Sequence, residues 1–195
     1  MKANPPRTIH FRRKRELRTN YKKRLHLLLS KKPRLVVRFT NQQIIAQVIT
    51  FTGKGDEVIA AVTSRALVKM GWNYSCKNIP AAYLTGMLIA RRALKEGCND
   101  VIFDTGLLFP LHKGKVYAFL KGAIDAGLGV PAGDESIFPS HERISGKHIE
   151  GYGTHLLHVG KDLHDRQFSQ YLKNAAKPET LSTVFKTVQQ KIQGL

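Results

Sequence analysis

The first 34 residues of this 195-residue chain are almost devoid of acid: they hold 13 Lys and Arg against a single Glu16, a net charge of +12. A segment like this cannot collapse on itself, because its charges repel and it has few apolar groups to hold it together. It becomes ordered only against something that neutralises it. The remaining 161 residues carry 19 bases and 13 acids, a surplus of only +6. The chain therefore divides into a basic arm and a body of ordinary charge balance. Hydrophobic residues make up 42% of the whole, enough for one folded core. The total charge of +18 points to a polyanionic partner.

The arm is more than a solvated charge run. Arginine outnumbers lysine in Phe11-Arg12-Arg13-Lys14-Arg15-Glu16-Leu17-Arg18, and the planar guanidinium fork suits phosphates and base edges. His10, Phe11, Asn20, Tyr21 and His26 are interleaved with the bases, offering stacking and hydrogen-bonding groups to unpaired nucleotides. From Tyr21 the spacing predicts a short helix. Its Tyr21, Leu25, Leu28 and Leu29 would face the core, and Lys22, Lys23 and His26 would face outward. A nuclear-localisation signal needs only a short cluster and would not account for the arm's length.

Lys32-Pro33 closes the arm, so the expected divisions are an arm over 1–33, a body over 34–152 and a C-terminal extension over 153–195. Three β-branched runs, 35–40, 44–51 and 57–63, are separated by short turns and read as an antiparallel meander. Alternation along the first strand places Leu35, Val37 and Phe39 on one face and projects Arg34 and Arg38 from the other. Ser64 is placed to cap a short helix over 65–70 that ends at Gly71. Pro80 opens a helix running to Glu96, Val101-Ile102-Phe103 is a short buried strand, and residues 116–128 form another helix. The sum is an α/β fold: a mixed sheet beginning with a three-strand antiparallel meander, then α-β-α, with a basic N-terminal extension and a helical C-terminal extension. In that extension helices are expected over 144–152, over 165–173 and from Pro178 onward. The last carries a stripe of Leu181, Val184, Phe185, Val188 and Ile192 that docks on the body or on a partner protein.

Patterns that would carry catalysis are incomplete. Asp104-Thr105-Gly106 matches half of an aspartic-protease signature, but that chemistry needs two carboxylates sharing a proton, and the chain holds one copy. A strand-end Asp capping a turn at Gly106 is the plainer reading. His155 and His158 are three residues apart, yet there is no HExxH pattern and Gly160 interrupts the helix, so no metal site is assigned. Gly53-Lys54-Gly55-Asp56 and Gly153…Gly160-Lys161-Asp162 both lack phosphate-loop spacing. Asp56, Asp104, Asp125 and Asp134 lack the context of a two-metal nuclease and read as surface or capping residues. Two isolated cysteines, Cys76 and Cys98, make neither a disulfide framework nor a thiolate metal site, which suggests a reducing, intracellular setting. No apolar stretch approaches the ~20 residues of a membrane span, and no apolar segment follows the first residues as in a secretory signal. The expectation is a non-enzyme without cofactor or metal. The alternatives are an RNA-processing nuclease, which would act through Asp104, and an RNA-associated protein adaptor working through its last helix.

Several stretches carry a family resemblance: Asn20-Tyr21-Lys22-Lys23-Arg24-Leu25, Lys32-Pro33-Arg34-Leu35-Val36-Val37-Arg38, Asn78-Ile79-Pro80-Ala81-Ala82-Tyr83-Leu84-Thr85-Gly86, Leu120-Lys121-Gly122-Ala123-Ile124-Asp125-Ala126-Gly127-Leu128 and Gly146-Lys147-His148-Ile149. In order, and over about residues 11–152, the chain resembles the archaeal and eukaryotic branch of the universal large-subunit ribosomal protein family number eighteen, which binds 5S rRNA. Its length is that of an archaeal member. The resemblance implies a structural protein of the large ribosomal subunit in the cytoplasm. It also implies that 5S rRNA is held in the central protuberance beside large-subunit rRNA, the other 5S-binding ribosomal protein and neighbouring subunit proteins, with no membrane partner. Together with the basic arm, it gives as RNA-binding candidates Arg7, Phe11, Arg12, Arg13, Lys14, Arg15, Arg18, Asn20, Tyr21, Lys22, Lys23, Arg24, Arg34, Arg38, Asn41 and Gln42.

Overall fold

A computed structural model describes residues 9–195; Arg7, one of the candidate RNA-binding residues, lies outside that range. The arm supplies two helices, α1 (Arg12–Arg15) and α2 (Tyr21–Leu29). Strands β1 (Arg34–Phe39), β2 (Ile44–Thr52) and β3 (Gly55–Thr63) form the expected antiparallel meander, with β1 pairing β2 from Arg34↔Ile49 to Phe39↔Ile44. A bulge at Ile59 shifts the β2–β3 register, since Val48 pairs Ala60 while Ile49 pairs Val58. Strand β4 (Ile102–Asp104) joins the free edge of β1 in parallel, giving the order β3-β2-β1-β4. The chain reaches that edge by a crossover through α3 (Ile79–Lys95), the unit a parallel pairing requires.

One sheet face, from Leu35, Val37, Ile44, Ala46, Val48, Ala60 and Val62, is buried in a core shared with α3 and α4 (Lys115–Asp125). Helix α3 begins where expected: Asn78 is its cap, its side chain accepting a hydrogen bond from the Ala81 amide at 2.9 Å, and Pro80 sits in the first turn. The short helix after β3 is a 3₁₀ turn over Ser64–Met70 rather than an α-helix capped by Ser64. Ser64 is buried, and its hydroxyl accepts from the Ile44 amide at 3.0 Å, so it ties β2 to the turn instead.

The small residues of α3 and α4 meet at two glycines. A side-chain carbon on Gly86 would strike the Phe119 carbonyl, and one on Gly122 the Tyr83 carbonyl. The helices are therefore in backbone contact, which brings α3 and the sheet beneath it close to α4.

The C-terminal part is more finely divided than its periodicity predicts. The helix expected over 144–152 is two, α5 (His141–Ser145) and α6 (Lys147–Val159), separated by Gly146 in the left-handed conformation at φ 86°. There a side chain would also collide with Leu181, so only glycine lets the bend form against the last helix. Helix α6 runs unbroken through residues 152 and 153. Residues 161–173 likewise form α7 (Lys161–Gln167) and α8 (Ser169–Lys173), broken at Phe168, whose buried ring packs against Tyr171 and His164. The stripe of the last helix, α9 (Leu181–Gln193), docks on the body: Leu181, Phe185, Val188 and Ile192 are buried, with Phe185 5.7 Å from Tyr83 on α3.

Replacing Gly86 or Gly122 with Ala must force α3 and α4 apart. Urea unfolding should register a loss of about 3 kcal/mol for either, whereas Gly53→Ala, where nothing lies within 4 Å of the added carbon, should stay near wild type.

Candidate nucleic-acid interface

The arm docks on the sheet face opposite α3, and it docks through charge. Asn20 caps α2, its side chain accepting from the Lys23 amide at 3.0 Å. From the first turn Arg24 Nη2 reaches Asp56 Oδ1 at 2.8 Å, at the β2–β3 hairpin. Lys23 Nζ donates to Thr105 Oγ1 and to the Gly106 carbonyl, both at 3.1 Å, beyond the end of β4. Tyr21 and Leu28 are half-buried and Lys22 and His26 exposed as expected, but the orientation of α2 differs from expectation at Leu25, Leu29 and Lys23. Leu25 and Leu29 are 58% and 68% exposed, while Lys23 and Arg24 turn toward the body. The cause is the Asp56 carboxylate, which takes Arg24, and the Thr105–Gly106 turn, which takes Lys23; together they hold this face of the helix against a short leucine stripe.

Arg34 is the second correction. Alternation along β1 places it on the exposed polar face, but its side chain is only 4% accessible. Nη1 donates to Asp104 Oδ2 at 3.1 Å, and Nη2 lies 3.0 Å from Asp56 Oδ2, an ion pair without the alignment of a hydrogen bond. Asp104 is itself buried, and its second oxygen accepts from the Gly106 amide at 2.7 Å, closing the turn that the Asp-Thr-Gly motif predicts, with Gly106 at φ 65°. Arg34 thus holds together three pieces: β1, the end of β4 and the β2–β3 hairpin. Arg38 follows on the same face, its Nη1 donating to the carbonyls of Val37 and Asp104 at 2.7 and 3.1 Å. Its guanidinium lies against Gly106, where even a methyl group would come within 2.8 Å of Cζ. Burial pulls the Arg38 guanidinium below its ordinary value, and nearby Arg34 adds to that, against the opposing pull of Asp104.

The bases farther out are presented to solvent. Arg12, Arg13, Lys14, Arg15, Arg18 and Lys22 are all exposed, and no residue of α1 is buried. Glu16, the arm's one acid, sits between Arg12 (3.5 Å) and Arg18 (3.3 Å). Arg13 Nε donates to Thr19 Oγ1 at 2.9 Å. The exposed Phe11 ring lies 5.2 Å from that of Tyr21. Asn41 and Gln42 are exposed in the β1–β2 turn beyond Arg38, with the Gln42 side chain accepting from Arg65 at 3.0 Å. Arg38 and the arm line the cavity on one side of the sheet, and the turn lies at the far end of β1.

Asp56 and Asp104 are the functional residues that sequence reasoning treated as ordinary. One signal was available: Asp56 is only the second acid in the chain, so a dense basic arm had few internal partners to choose from. Neither aspartate is arranged for catalysis, since both face arginines. Among the described residues, no three His, Cys, Asp or Glu side chains cluster as a metal ion would require, and no helix is long and apolar enough to cross a membrane.

A small mixed sheet whose two aspartates hold a cationic arm, with most of the arm's other bases turned outward, defines a nucleic-acid-binding scaffold protein. Residues 7–103, the arm and nearly the whole sheet, match the model of the family described as ribosomal large subunit proteins 60S L5 and 50S L18. The chain is 50% identical over 188 residues to the large ribosomal subunit protein uL18 of Korarchaeum cryptofilum (strain OPF8), covering 96% of this chain and 94% of that protein. The chain belongs to this family of large-subunit ribosomal proteins.

Asp104→Asn leaves buried Arg34 with half its counter-charge, and thermal or urea unfolding should show a loss of about 3 kcal/mol. The arm's attachment should also depend on pH. Burial would raise the Asp56 carboxyl, but the hydrogen bond from Arg24 and the positive charges of Arg34 and Arg24 outweigh it and hold the group below its ordinary value. A depressed carboxylate stabilises the docked state fully above its ordinary value, and that contribution is lost as pH falls through the lower, folded-state value. A carbon-detected NMR titration of Asp56 should find this depressed value together with release of α2; a value at or above the usual carboxylate range contradicts the docking scheme.

Proposed function

We propose that this large-subunit ribosomal protein binds 5S rRNA through its docked arm and the adjoining sheet face, and helps attach that RNA to large-subunit rRNA in the central protuberance. Its role is structural, not enzymatic. The observation that carries the reading is the segregation of charge. The sheet's two aspartates face the arm's inner side, while the exposed bases Arg12, Lys14, Arg15, Arg18 and Lys22 have only Glu16 among them. Each such base that meets a phosphate releases condensed counterions, so binding should weaken steeply with salt. Phe11 and Tyr21 offer stacking surfaces to looped-out bases, and the amides of Asn41 and Gln42 offer hydrogen bonds to riboses and base edges. Arg34, tied into its ion pairs, supports the surface from below. The other 5S-binding ribosomal protein is the neighbour this placement implies.

The competing assignments lose their support. A nuclease working through Asp104 would need that carboxylate free, whereas both of its oxygens are engaged. An adaptor working through the last helix would need the apolar stripe of α9 exposed, whereas that stripe is buried in the body.

Replacing Arg12, Arg15 and Lys22 together with Gln should lower 5S rRNA affinity and flatten the slope of log affinity against log salt by roughly 0.7–0.9 for each phosphate no longer neutralised. An unchanged slope in filter binding over a salt series would exclude these residues from the interface.

A further inference from the structure

We propose that the cavity between the arm and the sheet is a subsite for one nucleotide splayed out of the bound RNA, with its phosphate on the cationic wall and its base against Tyr21 and Leu107. The inference rests on the RNA-binding reading above and makes it specific. The cavity has a volume of about 450 Å³, within the range of pockets that enclose small organic ligands and larger than a phosphate alone would need. Six cations line it (Arg13, Arg18, Lys23, Arg24, Arg34 and Arg38) against two carboxylates, Asp56 and Asp104.

Both carboxylates are already committed within the wall: Asp56 to Arg24 and Arg34, Asp104 to Arg34 and the Gly106 amide. Among the described residues, Lys23 and Arg13 have no anionic partner and Arg38 has only the already committed Asp104. Lys23 Nζ has a hydroxyl and a carbonyl, and Arg38 Nη1 has two carbonyls while its Nη2 lies 3.9 Å from Asp104. Arg13 has the Thr19 hydroxyl. Behind them, Arg34 Nε is buried with no acceptor at all. A site with surplus donors and surplus positive charge calls for an anion with several acceptor oxygens, and a phosphodiester supplies them.

Beside Thr19 and Asn20, the rest of the lining has an apolar part. Tyr21 and Leu27 are half-buried, and Leu107 is 52% exposed although it follows the buried Asp104-Thr105 turn. A base entering between Tyr21 and Leu107 would cover surface that a bare phosphate leaves wet. A paired duplex cannot present a base there, so the occupant is an unpaired nucleotide.

The test uses the full-length protein and 5S rRNA carrying a single abasic nucleotide at each unpaired position in turn, with affinities measured at one fixed salt concentration for wild type, Tyr21→Ala and Leu107→Ala. Neither side chain belongs to the core, so both variants should fold, and matching circular dichroism spectra verify it. One abasic position should weaken wild-type binding about tenfold, the scale of a missing base–aromatic stack. That same RNA should bind no more weakly to either variant, because the base they would touch is gone. If no abasic position weakens binding, or if the effect of every abasic RNA simply multiplies with that of the protein variants, the subsite is overturned. Wild-type protein that fails to bind unmodified 5S rRNA in a salt-dependent way would instead overturn the RNA-binding reading, and the subsite with it.

Discussion

The arrangement of this protein turns on one buried guanidinium. Arg34 opens β1 on the face that the arm covers, and a charge in that position is tolerated only with carboxylates beside it. Asp104 comes from the end of the parallel strand β4 and Asp56 from the β2–β3 hairpin, so one side chain sets the relative positions of three segments that are far apart in sequence. Such a network contributes little net stability compared with apolar packing. Separating its charges, however, is penalised by about 3–5 kcal/mol, so alternatives in register and arm placement are disfavoured. Asp56 then has a second task, since the oxygen not facing Arg34 receives Arg24 from α2. The contact that fixes the sheet also seats the arm.

That sharing explains how a segment with a surplus of +12 can lie against a folded body at all. Its inner side meets two aspartates and the turn at Thr105 and Gly106, and its outer side keeps the uncompensated charge. The acids of the sheet neutralise only what docking requires. What remains is uncompensated charge on α1, on the exposed side of α2 and at Arg38, suited to a partner whose phosphates follow a folded RNA backbone.

Much of the fold was legible because local rules decide it. Short turns between β-branched runs dictate a meander, Asn78 and Pro80 mark the start of α3, and the Asp104-Thr105-Gly106 turn follows from a strand-end aspartate and a glycine. The arm's excess of charge was legible from composition. What could not be read were contacts made by residues distant in sequence. Alternation along β1 tells which way Arg34 points, but not that the second face is also covered. The leucines of α2 suggested an apolar docking face because helical periodicity carries no information about carboxylates waiting on the sheet. The breaks at Gly146 and Phe168 have the same origin, set by what Leu181, Tyr171 and His164 place against them rather than by the helices' own propensities.

The central claim is that the docked arm, rather than the body alone, carries the grip on RNA. It is tested most directly by comparing 5S rRNA affinity of the intact chain with that of a chain lacking residues 1–24, each across a series of salt concentrations. The account predicts that the truncated chain binds far more weakly and with a much shallower salt dependence. Equal affinity and equal slope for the two proteins would contradict it.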